Sequence, residues 1–100
     1  MNILKINNGK VELFNDNGSL IRIIGNGDAV NADINDDGTL ILITTVRGKV
    51  ELRKENGSFI RSIGIGDATS AKFSGKDILV TNNKRKTELR KESGALIRII

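Results

Sequence analysis

The sequence predicts an all-β protein made of tandem units, each with four short antiparallel strands. Three observations support this prediction. The chain repeats itself, it has eleven glycines and no proline, and its apolar residues show no sustained helical spacing. The glycines separate short runs of aliphatic residues, as they do where strands are joined by tight turns.

The repeat is visible by direct alignment. Residues 10–34 match residues 49–73 without a gap at 15 of 25 positions, and residues 86–100 match residues 49–63 at 10 of 15 positions. The one difference in length is in a turn, where NDDGTL stands against SGKD, and an exposed turn tolerates such a change best. The alignment predicts a single repeat domain with units at 1–26, 27–65 and 66–100.

Each unit contains strands that we label A to D. Strand A is rich in small residues (29–34 and 68–73), and strand B is apolar at 40–43 and 78–80, with its first copy at 3–6. Strand C carries Val-Glu-Leu or Thr-Glu-Leu, and strand D carries Ile-Arg. The first unit begins at strand B, which predicts eleven strands. The uninterrupted LILI at 40–43 is predicted to be covered on both faces of its sheet.

A three-residue turn with glycine at its third position predicts the register between strands C and D. In the first unit, the turn at 16–18 sets Leu13 opposite Ile21 and Glu12 opposite Arg22. The same rule pairs acids with bases in the other units, Glu51 with Arg61 and Glu88 with Arg98. We interpret these glutamates as cross-strand partners rather than as a set of catalytic carboxylates.

The unit resembles a WD-repeat blade over essentially the whole chain. The run ADINDDGTLI at 32–41 is followed by LITT, a turn, KVEL, NG and FIRSIG, in the order of that blade. The signature positions differ, with Arg-Lys at 53–54 and 90–91 where Trp-Asp is usual and Gly-Asp at 27–28 and 66–67 in place of Gly-His. The resemblance implies β-propeller blades of four antiparallel strands, about 2.75 per chain, and no WD-repeat partner is carried over.

Fewer than three complete blades leave apolar faces exposed, whereas a closed propeller has about four to eight blades. We therefore expect several identical chains, a dimer or a trimer, to complete the ring. The alternative is a fragment or an open array. The candidate residues for the joint between copies are apolar and lie in the first and last strands: Ile3, Ile6, Leu96, Ile97, Ile99 and Ile100.

Composition excludes most enzyme templates. The chain has no cysteine and no histidine, which removes Ser-His-Asp and Cys-His catalysis and the usual zinc sites. The segment from Asp33 to Gly38 fits the opening of a calcium loop, but Thr44 stands where the bidentate glutamate is needed, so a hairpin turn is the better interpretation. We predict no catalytic residue, no metal and no cofactor.

The net charge of +4 is spread along the chain. Five basic residues cluster in the B–C turns, a candidate surface for an anionic ligand: Arg47, Lys49, Lys84, Arg85 and Lys86. By the resemblance, these turns share a face with the D–A turns at 25–28 and 64–67. Nucleic acid is not favoured as a partner because the chain has only three aromatic residues. The GNGD and GIGD turns lack the helix and Lys-Ser/Thr of a phosphate loop.

The sequence thus predicts a non-enzymatic binding or scaffolding protein whose partners are its own copies, together with a protein or an anion. Three alternatives stay open: an electrostatic binder of nucleic acid or anions, an enzyme with its site in the channel or between subunits, and a designed or duplicated repeat without a ligand. No signal peptide or membrane span is predicted, so the expected location is cytoplasmic.

Overall fold

A computed structural model describes residues 2–100 as three antiparallel sheets. Sheet 1 contains β1 (Ile3–Asn7), β2 (Lys10–Phe14) and β3 (Leu20–Ile24). Sheet 2 contains β4 (Ala29–Ile34), β5 (Leu40–Thr45), β6 (Val50–Lys54) and β7 (Phe59–Ile63). Sheet 3 contains β8 (Ala68–Ser74), β9 (Asp77–Asn82), β10 (Thr87–Arg90) and β11 (Leu96–Ile99). The eleven strands of these residues agree with the prediction. This part of the chain has no helix with the length and hydropathy of a membrane span.

The sheets are stacked in chain order, with sheet 2 in the middle. One apolar cluster joins sheets 1 and 2, and a second joins sheets 2 and 3. We call the face of a sheet that points toward the next sheet along the chain its forward face, and the opposite face its backward face. In sheet 3 the forward face is the one that points away from sheet 2. Strand β5 is buried on both, since Ile41 and Ile43 pack toward sheet 1 and Leu42 packs toward sheet 3. The prediction for LILI is therefore confirmed.

The C–D hairpins are built differently from the predicted register. The three-residue turn is present, because the Asn15 amide donates to the Ser19 carbonyl and Phe14 pairs with Leu20. A β-bulge follows at once, and beyond it Leu13 pairs with Arg22. The predicted pairs of Leu13 with Ile21 and Glu12 with Arg22 are wrong by one residue, since Ile21 is the extra residue of the bulge.

The same bulge recurs in the other two hairpins. Leu52 pairs with Arg61, and Leu89 pairs with Arg98. The predicted pairs of Glu51 with Arg61 and Glu88 with Arg98 are therefore also wrong. Because successive side chains of a strand point to opposite faces, the shift places each strand-D arginine on the forward face beside leucine, away from the glutamate.

Candidate functional site

The forward face of every sheet carries one row of directly paired side chains, leucine, leucine and arginine. The row is Leu4–Leu13–Arg22 in sheet 1, Leu42–Leu52–Arg61 in sheet 2 and Leu79–Leu89–Arg98 in sheet 3. In sheets 1 and 2 the next sheet covers this row. The central leucine of each covered row is fully buried. In sheet 3 both leucines are half-buried, and residues 2–100 contain no further sheet to cover them.

The arginine of each covered row reaches the following sheet. Arg22 Nη1 donates to the Asn56 carbonyl at 3.4 Å, and Arg61 Nη1 donates to the Glu92 carbonyl at 2.8 Å. Both acceptors lie in the C–D turn of the next sheet. Arg98 occupies the same position in sheet 3, is exposed, and has no acceptor among the described residues. Sheet 3 therefore presents the same row and the same arginine, but residues 2–100 contain no following sheet or C–D turn for them to contact.

A close contact between glycines forms the second element of each internal interface. The Gly9 carbonyl accepts from the Ala29 amide at 2.9 Å, and the Gly48 carbonyl accepts from the Ala68 amide at 3.0 Å. A Cβ atom on Gly48 would lie 2.5 Å from the Gly66 carbonyl oxygen, and one on Gly9 would overlap the carbonyl oxygen of Gly27. The B–C turn of one sheet thus touches the D–A turn of the next, and only glycine fits there. We call this the glycine contact.

Arg85 stands at the corresponding position of sheet 3. Its φ of 65° is left-handed, like the 86° of Gly48, so the turn has the same shape. By its alignment with Gly48, its Cβ stands where an added Cβ on Gly48 would meet the Gly66 carbonyl. A side chain at this position excludes a further glycine contact of the same kind.

The backward faces of sheets 2 and 3 each hold a buried ion pair within strand C. Arg53 Nε lies 3.0 Å from Glu51 Oε1, and Arg90 Nε lies 2.8 Å from Glu88 Oε1. Arg53 Nη1 also donates to the carbonyl of Gly57 in its own C–D turn at 2.7 Å, as Arg90 does to Gly94 at 2.8 Å. The glutamates are thus structural partners of arginines two residues away, and burial makes each pair depend on both members.

Sheet 1 departs from this pattern. Phe14 replaces the arginine, and Lys5 lies directly across from Glu12. The backward face of sheet 1 therefore has an apolar row, Ile3–Phe14–Leu20, in which Ile3 and Leu20 are about half exposed. No described sheet covers it.

The predicted joint residues are divided between several places. Ile3 lies on the uncovered backward face of sheet 1, whereas Ile6 packs inside the chain against sheet 2. Leu96 and Ile99 pair with Arg90 and Glu88, so they lie at the outer end of the backward face of sheet 3 and remain exposed. At the end of sheet 3, Ile97 is half-buried and Ile100 is 70% exposed.

The five basic residues of the B–C turns are all exposed: Arg47, Lys49, Lys84, Arg85 and Lys86. Each turn is bonded to the preceding D–A turn, since the Val46 amide donates to the Asp28 carbonyl and the Asn83 amide donates to the Asp67 carbonyl, both at about 2.8–2.9 Å. A shallow cleft of about 230 Å³ lies between the B–C turn of sheet 2 and the D–A turn at 64–67, and it includes Arg47 and Asp67. The face is basic, with acidic residues between its cations.

The calcium-like segment and Asn31, which lies just before it, serve structural roles. Asp33 accepts from the Phe73 amide of sheet 3 at 2.8 Å, and Asn31 accepts from the Ala71 amide at 3.3 Å. The pKa of Asp37 is lowered because the Thr39 hydroxyl and amide donate to its carboxylate. Among the described residues, no group of three or more acidic side chains is arranged to hold a metal.

Among solved structures, the chain is similar to BamB from Moraxella catarrhalis and to Sqt1 from Saccharomyces cerevisiae. The TM-scores are 0.72 and 0.73, and the sequence identities are 20% and 16%. Both are β-propeller proteins. The three sheets have the fold of part of a β-propeller.

The similarity covers 92% of this chain and 30% of BamB, and 93% of this chain and 29% of Sqt1. The chain thus spans less than a third of either protein. No protein-family model matches the chain, and no curated protein matches it. The similarity supports the propeller plan that the WD-repeat resemblance implied, at the level of fold.

Proposed function

We propose that the chain is a non-enzymatic binding or scaffolding protein that assembles from several identical copies into a closed β-propeller. The observation that carries this proposal is the leucine–leucine–arginine row of sheet 3. Sheets 1 and 2 bury the same row beneath a following sheet, and sheet 3 has it uncovered. A partly exposed apolar row of this kind is typical of an interaction site.

The number of sheets favours a small assembly. Two copies of a three-sheet chain supply six sheets, within the range of about four to eight that propellers use, and three copies supply nine. A ring buries both end faces of every copy, whereas an open stack always leaves two uncovered. The absence of histidine and cysteine from the sequence and the pairing of the buried glutamates with arginine support a non-enzymatic role.

Light scattering on three proteins tests the assembly. We expect the wild-type chain to have a discrete mass of two or three copies. Leu89→Arg places a charge in the uncovered row and should shift the mass to that of one chain, since burying an unpaired charge is costly. Ile65→Arg is the control, because Ile65 is 77% exposed in a turn. It should leave the mass unchanged. A wild-type monomer with a cooperative thermal transition would refute the proposed ring.

The exposed basic turns support a second candidate, an electrostatic binder of anions. A ring would repeat the five cations around one face. We expect the double variant Lys84→Glu/Lys86→Glu to weaken binding to inorganic polyphosphate about tenfold or more at low salt. Lys54→Glu/Lys91→Glu makes the same change of charge on the C–D turns and should have a smaller effect. Binding that is equal in both variants, or insensitive to salt, would contradict a specific role for the B–C turns.

A further inference from the structure

We propose that two copies meet head to tail, with the forward face of sheet 3 of one copy packed on the backward face of sheet 1 of the next. This inference rests on the proposed assembly and specifies its joint. In it, Arg98 of one copy donates to a carbonyl of the C–D turn at 16–18 in the next copy. Arg85 fills the space that a D–A turn occupies at the internal interfaces.

The contact of Arg98 follows from the two internal interfaces. Arg22 and Arg61 occupy the same place in their rows, and each donates across its interface to a backbone carbonyl of the next C–D turn. Sheet 1 has such a turn at 16–18, closed by the same hydrogen bonds around Asn15. A second copy docked as sheets 2 and 3 are docked therefore brings this turn to Arg98.

The two faces also match in their apolar rows. The forward face of sheet 3 presents Leu79 and Leu89, with Ile100 beyond them. The backward face of sheet 1 presents Ile3, Phe14 and Leu20, where sheet 2 has Ile41, Arg53 and Phe59. The replacement of arginine by Phe14 makes this face more apolar than the corresponding faces of sheets 2 and 3. Apolar area on both sides is what a joint between copies requires.

Arg85 limits which sheet of a second copy can pack on the forward face of sheet 3. A sheet built like sheet 2 or sheet 3 arrives with a D–A turn, and its glycine carbonyl would meet the Cβ of Arg85 at the distance that a Cβ on Gly48 would have from Gly66, 2.5 Å. Sheet 1 contains, within residues 2–100, no inner strand equivalent to β4 or β8. Within residues 2–100, sheet 1 therefore has no such turn to place at the joint. Of the three sheets in this chain, sheet 1 is thus the one that fits beside Arg85.

Cross-linking between two single-cysteine variants tests the joint, since the natural sequence has no cysteine to interfere. Arg98→Cys and Asn17→Cys chains are unfolded together, refolded as a mixture and treated with a short bismaleimide. We expect a covalent pair containing one chain of each kind. The positional control mixes Arg98→Cys with Lys76→Cys, which lies in the β8–β9 turn. The intrachain standard is Arg61→Cys/Ser93→Cys, which should link within one chain.

A second pair keeps the test independent of any one substitution. A Cβ on Gly57 would lie 3.8 Å from Ile24 Cγ1, and one on Gly94 would lie 3.7 Å from Ile63 Cδ1. The corresponding positions across the joint are Gly18 and Ile100, so Gly18→Cys and Ile100→Cys chains should form an interchain disulfide on mild oxidation.

The mass of each mixture is measured by light scattering before cross-linking, which separates the two proposals. A discrete oligomer that links through both test pairs, well above the control, supports the head-to-tail joint. A discrete oligomer that links no better than the control overturns this joint and leaves the assembly standing. A monomeric mixture overturns both.

Discussion

The turn between β5 and β6 and the turn between β9 and β10 have the same shape and different neighbours. The first has Gly48, which touches the D–A turn of sheet 3 so closely that a Cβ would not fit. The second has Arg85 in a left-handed conformation, with no sheet beyond it in residues 2–100. The glycine is therefore required by the contact between sheets, whereas the turn itself tolerates a side chain at some cost in strain.

The largest effect is expected from Gly48→Ala. The added Cβ would clash with the Gly66 carbonyl and would stand at a φ of 86°, so the variant should lose about 3 kcal/mol of stability. The control is Gly38→Ala, at a φ of 75° with no atom within 4 Å of its Cβ, which should lose about 1 kcal/mol. Urea unfolding followed by circular dichroism measures both. Equal losses would show that the glycine contact adds nothing to the turn.

The next effect concerns the buried ion pair of sheet 2. Arg53→Ala leaves Glu51 buried without its cation, and we expect a loss of about 3 kcal/mol in the same unfolding experiment. The double variant Glu51→Gln/Arg53→Met removes both charges and should lose less than the single variant. Lys54→Ala, on the exposed neighbour, should be nearly neutral. A double variant that is less stable than Arg53→Ala would contradict the account of the pair.

A substitution of Thr44, at an internal interface, is expected to increase stability. Its hydroxyl is buried without a hydrogen-bond partner among the described residues, and Ile6 stands at the same position in sheet 1. Thr44→Val should therefore raise the free energy of unfolding by about 1 kcal/mol. The matched control is Thr45→Val, which should lower it, because the Thr45 hydroxyl accepts from the Lys49 amide at 3.2 Å. A loss of stability in both variants would contradict the prediction.

The smallest effect is expected at the B–C turn of sheet 3. Arg85→Gly removes a side chain from a left-handed position and should change stability by less than about 1 kcal/mol, in the stabilising direction. Lys84→Gly, at a neighbouring residue outside the left-handed region, should lose a similar amount. Differential scanning calorimetry of the two variants resolves their opposite signs. A marked loss in Arg85→Gly would mean that the contacts of the arginine outweigh the strain of its left-handed conformation.

The sequence predicted the strands and turns well because its glycines and aliphatic runs alternate so regularly. The bulge after each C–D turn was missed for a physical reason. In LIRII, which occurs at 20–24 and 96–100, aliphatic residues stand on both sides of the arginine, so alternation permits either register. In the first unit, the packing of Arg22 across the interface with sheet 2 selects one. The one-residue shift moved the strand-D arginines from the glutamates to the leucine rows.

Only part of the candidate site could be predicted, because its contacts join residues of different sheets. In the alignment of the units, Arg85 stands at the position of Gly9 and Gly48, so the replacement of glycine by arginine is visible in the sequence. Its meaning depends on the distance between two turns that are far apart in the chain, which only the packed sheets reveal. The bonds from the inner strand of sheet 3 to Asn31 and Asp33 are likewise between sheets, and neither residue has an equivalent carboxylate or amide in sheet 3.

If further copies of this chain cover its end faces, its thermal stability must depend on chain concentration. If folding is coupled to assembly, the midpoint of unfolding of the wild-type chain rises steadily over a hundredfold increase in concentration, by mass action. Leu89→Arg should abolish that rise. A cooperative wild-type transition whose midpoint is the same at every concentration would contradict the account.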